Sequence, residues 1–146
     1  MNQPELATFP TVCRHVLVVE DNADGRETLR TLLTMLGYRV DVAADGPDGV
    51  RVALDVRPDV ALIDIGLPGI DGLEVARQIR AGLDRDIVLV ACTAYGDDEM
   101  RGFVADADFD GYLVKPVILS DLLPWLLPFA DRSAMPEFGR AGPPAR

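Results

Sequence analysis

Four apolar runs of the sequence each end on a polar or reactive side chain. The first run is followed by Glu20 and Asp21, and the later three end on Asp64, Thr93 and Lys115. One ending of this kind means little, because polar residues normally follow buried strands. In an open sheet of parallel strands, however, ligands bind outside the carboxyl ends of the strands. Four such endings at one edge of a sheet therefore predict a reactive site.

Asp64 is the side chain at which we expect the chemistry. It closes the run Val60–Ile63, which is apolar throughout, as in a strand that is buried on both faces. The glycines and the proline of Gly66–Gly69 then predict a loop. Aspartate forms acyl phosphates in covalent phosphoryl-transfer mechanisms. The sequence thus predicts that Asp64 is a nucleophile that accepts a phosphoryl group.

Two further carboxylates are expected beside Asp64, because the first and third strands of such a sheet are neighbours. Three carboxylates that lie together repel one another unless a cation intervenes. Oxygen-rich sites with few protein ligands suit Mg²⁺, which keeps several of its waters. We therefore predict a magnesium ion with Asp21 and Asp64 as direct ligands. Glu20 is expected to act through a bound water.

Lys115 and Thr93 supply what a phosphoryl group on Asp64 would need besides a metal. A lysine ammonium is a compact positive charge on a flexible stem, suited to pairing with a carboxylate or a phosphoryl oxygen. The Thr93 hydroxyl is a donor on the other side of Asp64. Together with Mg²⁺, these groups would stabilise the charge of a transferring phosphoryl group.

Five strands that alternate with five helices between His15 and Phe129 would position these side chains. The last strand is the short segment Gly111–Val114, and the fourth helix, after Asp97, is expected to be weak because Gly102 interrupts it. Short connections and right-handed crossovers predict an α/β fold. We expect a flavodoxin-like (βα)5 three-layer α/β/α sandwich with a parallel five-stranded sheet of order 2-1-3-4-5.

The length and charge of the chain limit the number of domains and the kinds of partner. The 146 residues allow one domain with tails, and we expect a flexible lead-in over residues 1–14, a folded domain over 15–130 and a disordered tail or linker over 131–146. The formal net charge of −10 at pH 7 argues against binding to nucleic acid or to an anionic membrane. No signal peptide or bilayer-spanning run is recognisable, so the expected compartment is the cytoplasm.

The last predicted helix is unusually apolar. Ser120 is its expected N-cap, and Pro124 is expected in its first turn, where proline is tolerated. Trp125, Leu126 and Phe129 crowd into one short segment. Two interpretations of this face remain open, since it can belong to the core or can contact a downstream protein or a second copy of the chain.

Taken in order, these stretches resemble the receiver domains of two-component response regulators. Val18–Asn22 is similar to the acidic pocket after the first strand of that family, and Leu62–Gly72 is similar to its phosphoacceptor strand and proline-containing loop. Cys92–Ala94 resembles the switch threonine and the small residue that follows it. Gly111–Pro116 resembles the switch aromatic, the lysine and the proline that positions the lysine. The resemblance covers about residues 15–129, and in combination these motifs are specific.

The resemblance implies a Mg²⁺-dependent phosphoacceptor. A histidine kinase or a histidine phosphotransfer protein would phosphorylate Asp64, and the ion would be held by Asp21, Asp64 and the backbone carbonyl of Gly66. Such a domain catalyses only its own phosphorylation and dephosphorylation, and it is not an enzyme with turnover on small substrates. The chain would be a stand-alone receiver or the receiver of a longer regulator or hybrid histidine kinase.

The resemblance also implies the phosphoryl contacts and a switch. Thr93, Lys115 and the backbone N–H of Ala94 would contact the phosphoryl oxygens. Tyr112 would move inward as Thr93 shifts, which would remodel the surface of the fourth helix, the fifth strand and the fifth helix. The peptide bond before Pro116 would be cis. Phosphorylation would then bias a population of two conformations that already exist.

Three other functions use parts of the same pattern. An aspartate-nucleophile phosphohydrolase needs a second acid two residues after the nucleophile, where this sequence has Gly66. A flavodoxin-like cofactor binder needs a Ser/Thr/Gly-rich loop after the first strand, where Glu20 and Asp21 would repel a phosphate. A receiver fold that serves only as an unphosphorylated interaction module is disfavoured, because the whole set of acceptor-site residues is present.

Overall fold

The computed structural model of the protein describes residues 14–83, 87–94 and 108–126. In this part of the chain the strands are β1 His15–Val19, β2 Arg39–Ala43, β3 Val60–Asp64, β4 Val88–Thr93 and β5 Gly111–Val114. The helices are α1 Ala23–Met35, α2 Gly46–Val56, α3 Gly72–Leu83 and α4 Leu119–Leu126. The predicted helix after Asp97, Phe129 and the predicted tail over 131–146 lie outside the described residues, as does nearly all of the lead-in.

All strand pairs are parallel, and the sheet order is β2-β1-β3-β4-β5. This confirms the predicted flavodoxin-like order. The registers align the carboxyl ends, since Val19 pairs with Ile63, and Asp64 pairs with Cys92. The side chains that follow β1, β3, β4 and β5 therefore meet at one edge of the sheet.

The sheet is covered on both faces, as the apolar strand runs predict. Side chains alternate along each strand, so Leu17 and Val19 belong to one core cluster, while Val16 and Val18 belong to the other. Helices α2 and α3 pack on the first face, and α1 and α4 pack on the second. The three-layer α/β/α arrangement is thus confirmed.

Helix α4 begins earlier than predicted. Its first residue is Leu119, so Ser120 lies inside the helix and is not its N-cap, and Pro124 is the sixth residue and not part of the first turn. The backbone carbonyl of Ile118 accepts the N–H of Leu122 at 3.1 Å and so closes the first turn. Because proline has no N–H, the helical hydrogen bond to the carbonyl of Ser120 is not made.

Trp125 and Leu126 belong to the core, with 0% and 1% of their surfaces exposed. The indole of Trp125 covers β5 so closely that a Cβ on Gly111 would lie 2.3 Å from two ring atoms. The interpretation of Trp125 and Leu126 as a contact surface is therefore wrong, and the core interpretation is right. The exposed apolar side chains at this end of the helix are Ile118 and Leu119, at 52% and 36%.

A half-buried ion pair at the amino ends of β4 and β5 holds α3 against the sheet. Arg80 donates to the carboxylate of Asp110 at 3.0 Å and to the carbonyls of Ile87 and Asp108 at 2.7 and 2.9 Å. The same Asp110 oxygen accepts the N–H of Leu89 at 2.9 Å. Because several hydrogen bonds satisfy the two charges, the pair can lie at this half-buried position. It lies at the edge of the sheet opposite the reactive side chains.

Replacing Arg57 by glycine is expected to raise the free energy of unfolding by about 0.5 kcal/mol. Arg57 is exposed and ends α2 in the left-handed region, at φ 52° and ψ 65°. This conformation strains a residue with a Cβ but not glycine, whose greater freedom in the unfolded chain offsets part of the gain. The measurement is urea denaturation. Arg51→Gly, at an exposed position inside the same helix, should instead lower stability by about 1 kcal/mol, and a loss in Arg57→Gly would contradict the prediction.

Candidate functional site

Three carboxylates meet at the carboxyl edge of the sheet. Glu20 and Asp21 follow β1, and Asp64 is the last residue of β3. One oxygen of each carboxylate lies within 4.8 Å of the others, a spacing that could hold a metal ion. Glu20 and Asp64 are buried, at 6% and 7% exposure, whereas Asp21 is exposed. The structure thus brings together the acids that the strand order predicts to converge.

Glu20 is fixed at all of its polar groups. Its N–H donates to the carbonyl of Ala43 at 3.0 Å, and its own carbonyl accepts from Arg26 at 2.9 Å. One carboxylate oxygen accepts from the Lys115 ammonium at 2.9 Å, and the other accepts the N–H of Asn22 at 3.1 Å. A carboxylate held in this way organises its neighbours, and it fits an indirect role toward a metal better than a direct one.

Lys115 bridges the two buried acids. Its Nζ lies 2.9 Å from Glu20 Oε1 and 3.2 Å from Asp64 Oδ1. Its backbone N–H donates to the carbonyl of Thr93 at 2.7 Å, which fastens the end of β5 to the end of β4. The peptide bond to Pro116 is cis. Lys115 is also the only lysine of the chain.

The charge of Lys115 persists throughout the neutral pH range. Burial by itself lowers the pKa of Lys115, but the hydrogen bond to Glu20 and the charges of Asp64 and Glu20 raise it, so that the pKa lies above its ordinary value of 10.5. The ammonium therefore offsets part of the repulsion between the acids without any metal.

The two carboxylate oxygens of Asp64 differ in their surroundings. Oδ1 accepts the N–H of Gly66 at 3.1 Å and is also the oxygen that contacts Lys115. Among the described residues, no hydrogen bond reaches Oδ2. A carboxylate that is oriented through one oxygen is suited to nucleophilic attack by the other.

Two glycines lie close to Asp64. A Cβ on Gly72, the first residue of α3, would lie 2.5 Å from the backbone carbonyl oxygen of Asp64, so the helix packs directly on the strand end. Gly66 is different, because a Cβ there would meet, among the described residues, only Asp64 Oδ1, at 3.8 Å. The position two residues after the acid therefore has room for a side chain and carries none.

Thr93 and Tyr112 are both buried, at 2% and 5% exposure. Thr93 ends β4, and Tyr112 lies in β5 opposite Ala91 and within the core cluster that includes α3. Ala94 is exposed just beyond the strand. Thr93 and Ala94 lie at the carboxyl end of β4, the strand beside the one that carries Asp64, whereas Tyr112 lies on β5, one strand farther from Asp64.

Cys92 is not a nucleophile of this site. It is 4% exposed, and burial, with smaller effects of Lys115, Asp64 and Glu20, raises its thiol pKa to about 12. A protonated thiol is a weak nucleophile. Cys92 packs as a small hydrophobe in the core.

Sequence reasoning missed Arg26 and the close approach of Gly72. Arg26 acts on backbone carbonyls of the β1–α1 turn, and such contacts leave no pattern of side-chain types in the sequence. The contact of Gly72 with the Asp64 backbone depends on how α3 packs, which the sequence does not show. In the described part of the chain, no helix has the length and apolar character required to cross a membrane.

Comparisons with known proteins agree with this geometry. The response regulator receiver domain family matches residues 16–126. The receiver domain of a sensor histidine kinase from Pseudomonas aeruginosa PAO1, solved with a magnesium ion in its active site cleft, is 36% identical, covering 78% of this chain and 94% of that one, with a TM-score of 0.70. The chemotaxis protein CheY4 of Vibrio cholerae is 27% identical over 79% of this chain and 99% of its own, with a TM-score of 0.71.

A curated relative is longer than this chain. The response regulator MprA of Mycobacterium sp. (strain KMS) is 40% identical over 108 residues, which are 74% of this chain and 46% of MprA. The chain therefore spans less than half the length of this relative. The family match, the sequence identity and the acidic site at the carboxyl edge of a 2-1-3-4-5 sheet lead to one conclusion. The chain belongs to the family of response regulator receiver domains.

Proposed function

We propose that this receiver domain accepts a phosphoryl group on Asp64 from a phosphohistidine in a Mg²⁺-dependent reaction. The observation that carries the proposal is the contact of Asp64 with Lys115 on one side and its proximity to Glu20 and Asp21 on the other. These groups combine a nucleophile, a fixed positive charge and a cluster able to hold a cation. The donor would be a histidine kinase or a histidine phosphotransfer protein, as is general for the family.

In the proposed reaction an oxygen of Asp64 attacks the phosphorus of the phosphohistidine. A new O–P bond forms as the P–N bond breaks, and the electron pair of that bond stays on the imidazole nitrogen of the donor. Lys115 already lies 3.2 Å from Asp64 Oδ1, so its ammonium can follow the charge that develops on the phosphoryl oxygens. Hydrolysis of the acyl phosphate would return Asp64 to its original state.

The residues fit a magnesium ion. Asp21 and Asp64 would hold it directly, with the backbone carbonyl of Gly66, while Glu20 would act through water because its own groups are already bonded. Bound there, the ion would neutralise phosphoryl charge and orient the oxygens. A related receiver domain, from the sensor histidine kinase of P. aeruginosa, binds magnesium in its active site cleft.

The switch that the proposal includes would start at Thr93. The Thr93 hydroxyl and the backbone N–H of Ala94 would contact the phosphoryl oxygens, and Tyr112 would adjust to the shift of Thr93. Burial of both Thr93 and Tyr112 supports this, because a shift of one buried side chain displaces the side chains packed against it. A contact of the last helix with a downstream protein or a second copy would use Ile118 and Leu119, the exposed apolar residues at its start.

Mass spectrometry tests the proposal directly. With Mg²⁺ and acetyl phosphate, the intact mass should rise by one phosphoryl group, and Asp64→Asn should abolish this gain. Asp55→Asn, the same change at an exposed position of α2, is the matched control and should be phosphorylated like the wild type. The proposal fails if the wild type stays unmodified and does not respond to beryllofluoride, or if Asp64→Asn still gains the group.

A further inference from the structure

We propose that Arg26 is a positioning residue of the cation site. Its guanidinium holds the backbone of the β1–α1 turn so that Asp21 is presented to the metal. This inference rests on the proposed function, because it concerns the magnesium ion that the acids would hold. Arg26 itself touches neither the ion nor the phosphoryl group.

The contact spans the two peptide units that flank Asp21. Arg26 lies in the first turn of α1 and is half-buried. Its Nη1 donates to the carbonyl oxygen of Glu20 at 2.9 Å and lies 3.5 Å from that of Asp21. One nitrogen of the guanidinium thus holds the carbonyl of Glu20 tightly and the carbonyl of Asp21 more loosely.

Asp21 depends on this backbone support more than the other two acids do. Glu20 and Asp64 are buried and share the Lys115 ammonium. Asp21 is exposed, and no described residue makes a hydrogen bond or ion pair with its carboxylate. Its place near the other acids is therefore set by the turn that carries it.

Other bonds hold the ends of the turn and the N–H of Asn22, which donates to Glu20 Oε2 at 3.1 Å. The N–H of Glu20 is held by Ala43, and Asn22 caps α1 by accepting the N–H of Gly25 at 2.8 Å. Within the described part of the chain, Arg26 is the side chain that bonds the carbonyls between these two points. Losing it would remove the side-chain support of the two carbonyls that flank the Asp21 side chain. Outer groups that orient metal ligands typically contribute tenfold to a hundredfold in metal affinity.

The charge of Arg26 alone would change the affinity for magnesium in the opposite direction. A guanidinium near a divalent cation repels it, so an arginine that acted only through its charge would weaken magnesium binding, and its removal would strengthen that binding. Positioning predicts that removal weakens it. The sign of the change therefore separates the two effects.

The test is the Mg²⁺ dissociation constant of the full chain, measured by titration calorimetry and by the amide NMR shift of Gly66. Arg26→Met should bind Mg²⁺ about tenfold more weakly than the wild type. Arg30→Met is the matched control, because it lies on the same helix, changes the net charge equally, and loses only contacts with exposed Glu27. It should bind like the wild type. Arg26→Lys, which keeps the charge and a donor, should recover part of the loss.

Each alternative result overturns the inference. An unchanged dissociation constant in Arg26→Met, with or without a lower melting temperature, would show a purely structural role. Tighter binding would show that charge dominates. If Arg26→Met does not fold, Arg26→Lys must show weaker binding at unchanged net charge, and wild-type affinity in that variant overturns the proposal. Absence of Mg²⁺ binding in the wild type, by contrast, would refute the metal site of the proposed function.

Discussion

Replacing Lys115 by methionine is expected to slow phosphorylation of Asp64 by a small phosphodonor about 100-fold. The ammonium is the only positive group that the structure places in contact with both buried acids, at 2.9 and 3.2 Å, among the described residues. Methionine keeps the length of the stem and removes the charge. The transition state then loses a donor that is fixed in place, and such losses lower rates by a factor of about 10² to 10³.

The initial rate of intact-mass gain in excess acetyl phosphate and Mg²⁺ measures this effect. Arg39→Met, an equal charge change at an exposed position of β2 remote from the site, should leave the rate unchanged. Lys115→Arg keeps the charge on a bulkier, planar group, and its rate should lie between those of the wild type and Lys115→Met. A rate for Lys115→Met within about threefold of the wild type would contradict electrostatic stabilisation by this residue.

The contribution of the Lys115 ammonium to the stability of the fold depends on pH. Because the pKa of Lys115 is raised above its ordinary value of 10.5 in the folded protein, the folded state binds this proton more tightly than the unfolded state. Its contribution to stability is therefore complete below about pH 10.5 and is lost as the pH rises through the raised pKa. The stability difference between wild type and Lys115→Met should thus stay constant over the neutral range and shrink only above that pH.

The parts of the fold that the sequence predicts well are those fixed by local pattern. Strands buried on both faces must be apolar throughout, so the segments that end at Val19, Asp64 and Thr93 could be recognised without knowing their partners. Parallel pairing then requires crossovers, and few topologies remain. Convergence of Glu20, Asp21 and Asp64 follows from that order and from nothing else in the sequence.

The features that could not be predicted depend on contacts between distant elements. Arg80 and Asp110 look like surface charges in the sequence, yet packing brings them together as a half-buried pair between α3 and β5. Arg26 looks like any helical arginine, because its acceptors are backbone carbonyls. Trp125 could have been surface or core, since an apolar face looks alike in both cases until the sheet that covers it is known.

Replacing Gly111 by alanine is expected to lower the free energy of unfolding by about 3 kcal/mol. The added Cβ would lie 2.3 Å from Cη2 and Cζ2 of Trp125, well inside contact distance. The indole is fully buried between α4 and the sheet, so it has no solvent-facing direction in which to move. Relief would require α4 to shift as a unit, and overpacking of this kind is destabilising by about 1 to 3 kcal/mol.

Urea denaturation followed by circular dichroism, which serves variants with and without the single tryptophan Trp125, measures the loss. Gly25→Ala is the matched control: its Cβ would meet Asn22 Oδ1 at an ordinary 3.6 Å, and its position in α1 favours alanine. This variant should be neutral or more stable by up to about 1 kcal/mol. Equal losses in Gly25→Ala and Gly111→Ala would mean that the contact with Trp125 is not the cause.

A double-mutant cycle assigns the loss to one contact. Trp125→Leu alone should be destabilising through the space it leaves, by about 2 kcal/mol or more. In the pair Gly111→Ala with Trp125→Leu, the new methyl group enters that space, so the double variant should be at least about 1 kcal/mol more stable than the sum of the two losses predicts. Additive losses would show that Gly111 is required for backbone reasons alone. A coupling of the expected sign would show that the indole fixes the distance between α4 and β5, the strand that carries Tyr112.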